Sequence, residues 1–176
     1  MVAARTDPNP ENRHGIGLFL VESGTPGFER GRKLDKMGMR TQDTAELFFD
    51  GVRVPRDAVL GDPTGGFVQI MRLFAQERLV VAMTSVATAR VALDLTVEHV
   101  KQRTAFGRPL AKLQDTRFRL AQLRTEVDVA EAFLDQCVLA ANAGELDAAS
   151  AAEAKLFASE MLGRAVSYTH LRAHET

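Results

Sequence analysis

The chain has 176 residues, 45% hydrophobic and 26% charged, with a net charge of −1 at pH 7. This is the size and composition of one medium or two small globular domains. There is no basic stripe with interleaved aromatics, no apolar run near the roughly 18 residues of a membrane span, and a lone Cys137, which sets aside nucleic-acid binders, transmembrane segments and internal disulfides.

The first 65 residues read as strands. "GIGLFLV", 15–21, is aliphatic and bounded by Gly and polar residues. In "AELFFDGVRVP", 45–55, Leu47 and Phe49 alternate before Asp50-Gly51, and Val52 and Val54 alternate after it. Asp-Gly between alternating runs predicts a hairpin turn at that dipeptide. Residues 1–60 are therefore expected to form an antiparallel sheet. "GDPTGG", 61–66, matches neither phosphate-loop pattern and reads as a connection.

From Phe67 the period becomes helical. The first helix is expected to run to about Arg103, where "AFGRPLAK" breaks it with Gly107 and Pro109. Its apolar stripe takes Ile70, Phe74, Val81, Thr88 and Leu95, and Glu77 falls inside that stripe. A second helix is expected from about Gln114 to Ala143. Its seam, Leu120, Leu123, Val127, Ala130, Leu134, Cys137 and Ala141, keeps a 3-4-3-4-3-4 spacing, as in a long bundle helix packed at a shallow angle. After "NAGELD", Asp147 is suited to cap a third helix from 148 to about 165. Short connections between long helices predict antiparallel neighbours in a bundle.

"SYTHLRAHET", 167–176, reads as a break from the third helix's pattern. His170 and His174 are four apart, but two histidines at a frayed terminus make a weak zinc site, so no metal site is assigned. The string resembles a translated sequencing-library adapter, and the tail is expected to be foreign to the natural protein. His14 and His99 need no role.

Four segments, in order, resemble the acyl-CoA dehydrogenase family: "GLFLVESGTPGFERGRKLDKMGMRTQDTAELFFDGVRVP", "GGFVQIMRLFAQERLVVAM", "KQRTAFGRPLAKLQDTRFRLAQL" and "GELDAASAAEAKLFASEMLGRAV". The resemblance implies an α+β fragment. Residues 1–65 would be the C-terminal part of a middle antiparallel β domain, and 66–166 the first three helices of an incomplete four-helix bundle. The helical domain at the family's N-terminus and the end of its C-terminal domain would be missing. It also implies an FAD-dependent oxidoreductase of acyl-CoA thioesters, usually a homotetramer with FAD at a subunit interface, that passes electrons to an electron-transfer flavoprotein.

Periodicity alone leaves Glu77 open between a structural, arginine-paired carboxylate and a catalytic base. The resemblance to the long-chain and isovaleryl branches implies the base that takes the α-proton. Arg78, at the edge of the stripe, reads equally as a snorkelling arginine or, by resemblance, as a neighbour of the base and the thioester. Met71 and Phe74 read as core residues unaided and as acyl-pocket residues by resemblance. Arg103, Phe106 and Gln114 read unaided as packing and capping; by resemblance they contact FAD held mainly by a neighbouring subunit. Ala105 departs from relatives that carry Thr there. Two further readings share these helices: an acyl-CoA oxidase or carrier-protein-linked relative, and a non-catalytic paralogue. "MVAARTDPNPENRH" has no apolar signal core, so bacterial cytoplasm is the expected compartment, with the mitochondrial matrix as the alternative.

Overall fold

The computed structural model describes residues 1–9, 11–12 and 14–173, with side chains as far as Tyr168. The chain forms two compact units, Met1–Met71 and the residues from Arg72 onward. This is an α+β arrangement, small antiparallel ribbons followed by three long helices.

In the first unit, β1 (Val2–Arg5) pairs antiparallel with β2 (Ile16–Phe19), Val2 opposite Phe19 and Arg5 opposite Ile16. β3 (Phe28–Lys33) pairs antiparallel with β4 (Ala45–Phe49), Phe28 opposite Phe49, with a register irregularity between Arg30 and Lys33. The expected hairpin at Asp50-Gly51 does not form. β4 pairs backward with β3 through the 34–44 connection, and Val52 to Val54 form no strand. Two features favour that partner. The rings of Phe28 and Phe49 stack 5.0 Å apart, and the Asp50 N–H donates to the Gly27 carbonyl at 2.9 Å. Gly27 has φ +84, and a Cβ there would collide with the Asp50 carbonyl oxygen, so the approach requires glycine. Asp50-Gly51 remains a turn, with Gly51 at φ +60, but it ends a strand instead of joining two.

α1 (Gly66–Gln102) starts against β2: a Cβ on Gly66 would lie 2.8 Å from the Ile16 carbonyl oxygen. It ends within one residue of expectation. β5 (Thr104–Ala105) and β6 (Arg108–Pro109) make a tight ribbon, and a 3-10 turn, Leu110–Lys112, leads into α2 (Gln114–Ala143). α2 has the expected bounds. Its Leu123, Val127, Ala130, Leu134 and Cys137 are buried, and Leu120 and Ala141 pack against the same core. Gly144, at φ +75, ends the helix and donates its N–H to the carbonyls of Ala140 and Ala141, the left-handed cap that glycine favours.

α3 (Ala148–Ala173) runs past the expected end near 165. Ser167 to Ala173 contains no glycine or proline to stop it. Its buried seam of Ala151, Ala154, Ala158, Met161 and Ala165 continues at the same spacing to Tyr168, which packs against the core. The stretch read as a break therefore continues the helix, while His174 and the side chain of His170 lie outside the described residues.

The α1 stripe also needs correction. The face of α1 in the core is Leu79, Ala82, Val86, Ala89 and Leu93, with buried Thr96 and Val100 extending it. The stripe read from the sequence lies about 140° away, at about 100° per residue, and faces outward. Val81 is 44% exposed and Leu95 67%. α1 thus has two apolar faces. That explains a second departure: although no unbroken apolar run occurs, α1 contains an 18-residue window of mean hydropathy 1.5, long and apolar enough to cross a membrane by length and composition.

Candidate functional site

The predicted residues fall in two places on the helical part of the chain. The first is the outward face of α1. Ile70, Phe74, Glu77, Val81, Thr84, Thr88, Val91 and Leu95 follow one another at a 4-3-4-3-4-3-4 spacing, the register of a straight packing seam. Glu77 is the one charged side chain among these eight positions. It is exposed, and among the described residues it enters no ion pair. This chain's own helices do not bury it. Arg78 is half-buried, with its guanidinium carbon 5.8 Å from the centroid of the Phe74 ring, a cation–π contact. Met71, 41% exposed, lies on the same helix six residues before Glu77.

The hydroxyls on this face are turned back on the helix. Thr84 Oγ1 donates to the Val80 carbonyl at 3.0 Å, and Thr88 Oγ1 to the Thr84 carbonyl at 2.8 Å. Neither keeps a proton for an outside partner. Sequence reading missed Thr84 and Val91 on this face; the unbroken seam spacing was the available signal.

The second place is the far end of α1. The Arg103 N–H donates to His99 O and the Arg103 carbonyl accepts from Leu110 N–H, both at 2.9 Å. The backbone of Arg103 is thereby clamped between α1 and the 3-10 turn while its side chain stays exposed. Phe106 and Gly107 form the tip of the β5–β6 ribbon at φ +53 and φ +75, the signature of a tight hairpin turn that asks for positive φ at both positions. Phe106 is 90% exposed: a large ring held away from the chain on backbone that a non-glycine residue adopts at a cost. Gln114 opens α2 and is exposed. Exposed Arg108, Lys112 and Arg117 share this end and were not singled out from sequence; their clustering follows from the ribbon and turn folding back onto the start of α2. The donor set, several cations and a bare aromatic ring, suits a ligand with a pyrophosphate and a flat ring system.

Glu77 and Arg103 are 26 residues apart on and just beyond one helix, about 39 Å at 1.5 Å per residue. The structure therefore does not bring the two groups together within one chain.

A cleft of about 770 Å³ between α2 and α3 is lined by Asp115, Arg119, Glu126 and Arg164, among others. It holds none of the predicted residues. Its Arg164 is already paired with Glu126 at 3.0 Å, so it offers little free charge.

The profile of the acyl-CoA dehydrogenase C-terminal domain matches residues 64–169. The chain is 45% identical over 161 residues to the mitochondrial long-chain specific acyl-CoA dehydrogenase of Mus musculus, covering 92% of this chain and 37% of that protein. It superposes with a TM-score of 0.94 on the acyl-CoA dehydrogenase of Geobacillus kaustophilus, at 41% identity over 98% of this chain and 46% of that one. It also superposes, with a TM-score of 0.91 and 33% identity, on a chain in a structure of the electron transferring flavoprotein of Acidaminococcus fermentans, covering 99% of this chain and 46% of that one. The chain spans less than half the length of these relatives.

Proposed function

The chain belongs to the acyl-CoA dehydrogenase family, and on that premise we propose that it is part of a flavoprotein that α,β-dehydrogenates acyl-CoA thioesters, with Glu77 as the base. The observation that carries this is the isolation of Glu77 on an outward apolar face. A carboxylate with no ion-pair partner there, once the rest of the protein covers that face, is a desolvated base aimed at whatever apolar ligand the face receives. Glu77 then takes the α-proton of the thioester. Arg78, braced by the Phe74 ring, holds the polar head of the substrate beside it, and Phe74 and Met71 exclude water. FAD, when bound, supplies the acceptor for the β-hydrogen. Arg103, Phe106 and Gln114 would hold its pyrophosphate and adenine end.

The 39 Å separation supports a flavin shared between copies, since one chain cannot reach both ends of one site. It fits a homo-oligomer, a tetramer by resemblance. Electron-transferring flavoprotein is the proposed electron acceptor, and the likeness to a chain in the Acidaminococcus structure supports it.

Glu77→Gln in the full-length enzyme keeps shape and hydrogen bonding but removes the base. Flavin bleaching by acyl-CoA in stopped flow should slow by about 10²–10⁴-fold while the thioester still binds. Rapid bleaching in the variant would reject the assignment.

A further inference from the structure

We propose that Met37 and Met39, at the tip of the β3–β4 ribbon, are a peroxide-modification site. Their thioethers take up oxygen ahead of the thioethers and the thiol on α1, α2 and α3, and do so without loss of the fold. The proposal does not depend on the role of Glu77.

The 34–44 connection is held by its own polar groups. The Leu34 N–H donates to the Thr44 carbonyl at 2.8 Å, and the Gln42 N–H to the Met39 carbonyl at 3.0 Å. Lys36 Nζ donates to the Gln42 carbonyl at 2.7 Å and to Thr44 Oγ1 at 2.9 Å. Lys33 Nζ meets Asp43 Oδ1 at 2.8 Å. Gly38 and Met39 turn the chain at φ +84 and φ +47. The two thioethers add nothing to this bracing. Met37 is fully exposed and Met39 72% exposed, so a small oxidant reaches each sulfur from water and neither sulfur fills a core. Met1 is as bare as Met39, but it stands alone, whereas the tip places two thioethers in one braced turn.

The sulfurs of the helices are less open. Met71 and Met83 on α1 are 41% and 45% exposed, and Met161 on α3 is fully buried. Cys137 on α2 is buried, and that burial pushes its thiol up, so the thiolate that attacks a peroxide is scarce. An oxygen on Met161 would set a polar group in the core seam, where it costs stability. At the tip it meets only water.

The oxidant is hydrogen peroxide, one molecule per sulfur. A sulfur lone pair attacks one peroxide oxygen, the O–O bond breaks and an S–O bond forms. The second oxygen leaves as water with both protons. Sulfur loses two electrons and the peroxide gains them. Methionine sulfoxide reductases reverse the change.

The test treats the full-length enzyme with graded hydrogen peroxide and follows each methionine by peptide mass mapping. Met37 and Met39 should be half converted at roughly tenfold less peroxide than Met71, Met83 or Met161, because susceptibility follows exposure. Tm should be unchanged at that stage, and a pair of sulfoxide reductases acting on both epimers should restore the original masses. Met37→Leu/Met39→Leu keeps the apolar bulk without the sulfurs. With substoichiometric peroxide it should carry more oxygen on Met71 and Met83 than wild type does, since the faster acceptors are gone. An unchanged map in that variant would overturn the proposal. So would Met71, Met83 or Met161 reacting as early as the pair, or a Tm that falls when the pair alone is oxidised. A pair that stays reduced until the protein unfolds would also overturn it and assign the tip to an interface.

Discussion

At the scale of single residues, Phe106 separates stability from function most clearly. At φ +53 beside Gly107 at φ +75, it occupies a position where Asn-Gly is the favoured pair and an aromatic is not. Its 90% exposure means that packing within this chain does not repay the conformation. Phe106→Asn should therefore raise the stability of the 176-residue chain by about 1 kcal/mol, the cost of a left-handed L-residue. That corresponds to a rise of about 2–4 °C in Tm for this size. On the proposed role of Phe106, the same substitution in the full-length enzyme should lower flavin retention after dialysis, because the ring proposed to meet the cofactor is gone. A lower Tm for Phe106→Asn would mean that the ring packs at home and is not held for a ligand. Glu77 is the second such residue. Its oddity, an acid among apolar neighbours, was legible from spacing; its exposure was not, because α1 carries two apolar faces of the same period and spacing does not say which one is buried.

At the scale of elements, the ends of helices were more legible than their faces. Gly144 and Asp147 lie between α2 and α3 where cap chemistry demands them. Asp147 Oδ1 accepts the N–H groups of Ala149 and Ser150 at 2.8 and 2.9 Å, and its Oδ2 accepts the Ser150 hydroxyl at 2.6 Å. These bonds, the Ser150 hydroxyl foremost and its N–H next, hold the Asp147 carboxyl below its ordinary 3.8. A lowered folded-state value means that the cap's contribution is complete above pH 3.8 and is lost as the pH falls through the folded value. Asp147→Asn, which keeps a capping oxygen without the charge, should flatten the acid limb of Tm against pH below 4 relative to wild type. An identical acid limb would show that other carboxylates carry it. The faces of α1 were misread for a specific reason. Its two seams, one through Leu79 to Val100 and one through Ile70 to Leu95, have the same heptad spacing, and periodicity cannot say which one meets α2 and α3. The misplaced hairpin has a similar cause. Asp50-Gly51 is a strong local signal, but "FERGRK" of β3 does not alternate, so nothing local announced it as the partner of β4. The end of α3 was underread because its seam continues on Tyr168, a residue type commoner at surfaces. Deleting 167–176 should therefore cost about 1 kcal/mol, since a part-buried aromatic leaves the core, and a Tm unchanged within error would reject that packing.

At the scale of the whole molecule, the separation of Glu77 and Arg103 makes the strongest demand. Rigid α1 holds them about 39 Å apart, so the proposed base and the proposed adenine-side contacts of one chain must serve two different flavins. This predicts complementation between defective copies. Full-length Glu77→Gln lacks the base but keeps a normal Arg103 and Phe106. A full-length Arg103→Ala/Phe106→Ala variant keeps the base but holds flavin poorly; loss of a hydrogen bond to a charged group alone is worth about 1.5–3 kcal/mol, or roughly tenfold or more in affinity. In a mixed pair, one site takes Glu77 from the second variant and Arg103 from the first, and is whole. The other site carries both defects. Co-expression with two affinity tags, followed by purification through both, isolates these mixed oligomers. At limiting FAD they should bleach with acyl-CoA with the wild-type rate constant and at no more than half the wild-type amplitude per site, the limit set by one intact site in each mixed pair, while each variant alone stays inactive or flavin-free. If each flavin were served by one chain only, every site in the mixture would carry one defect and no fast phase would appear. An absent fast phase in doubly purified oligomers that contain flavin would therefore reject the shared site and require Arg103 and Phe106 to have another ligand.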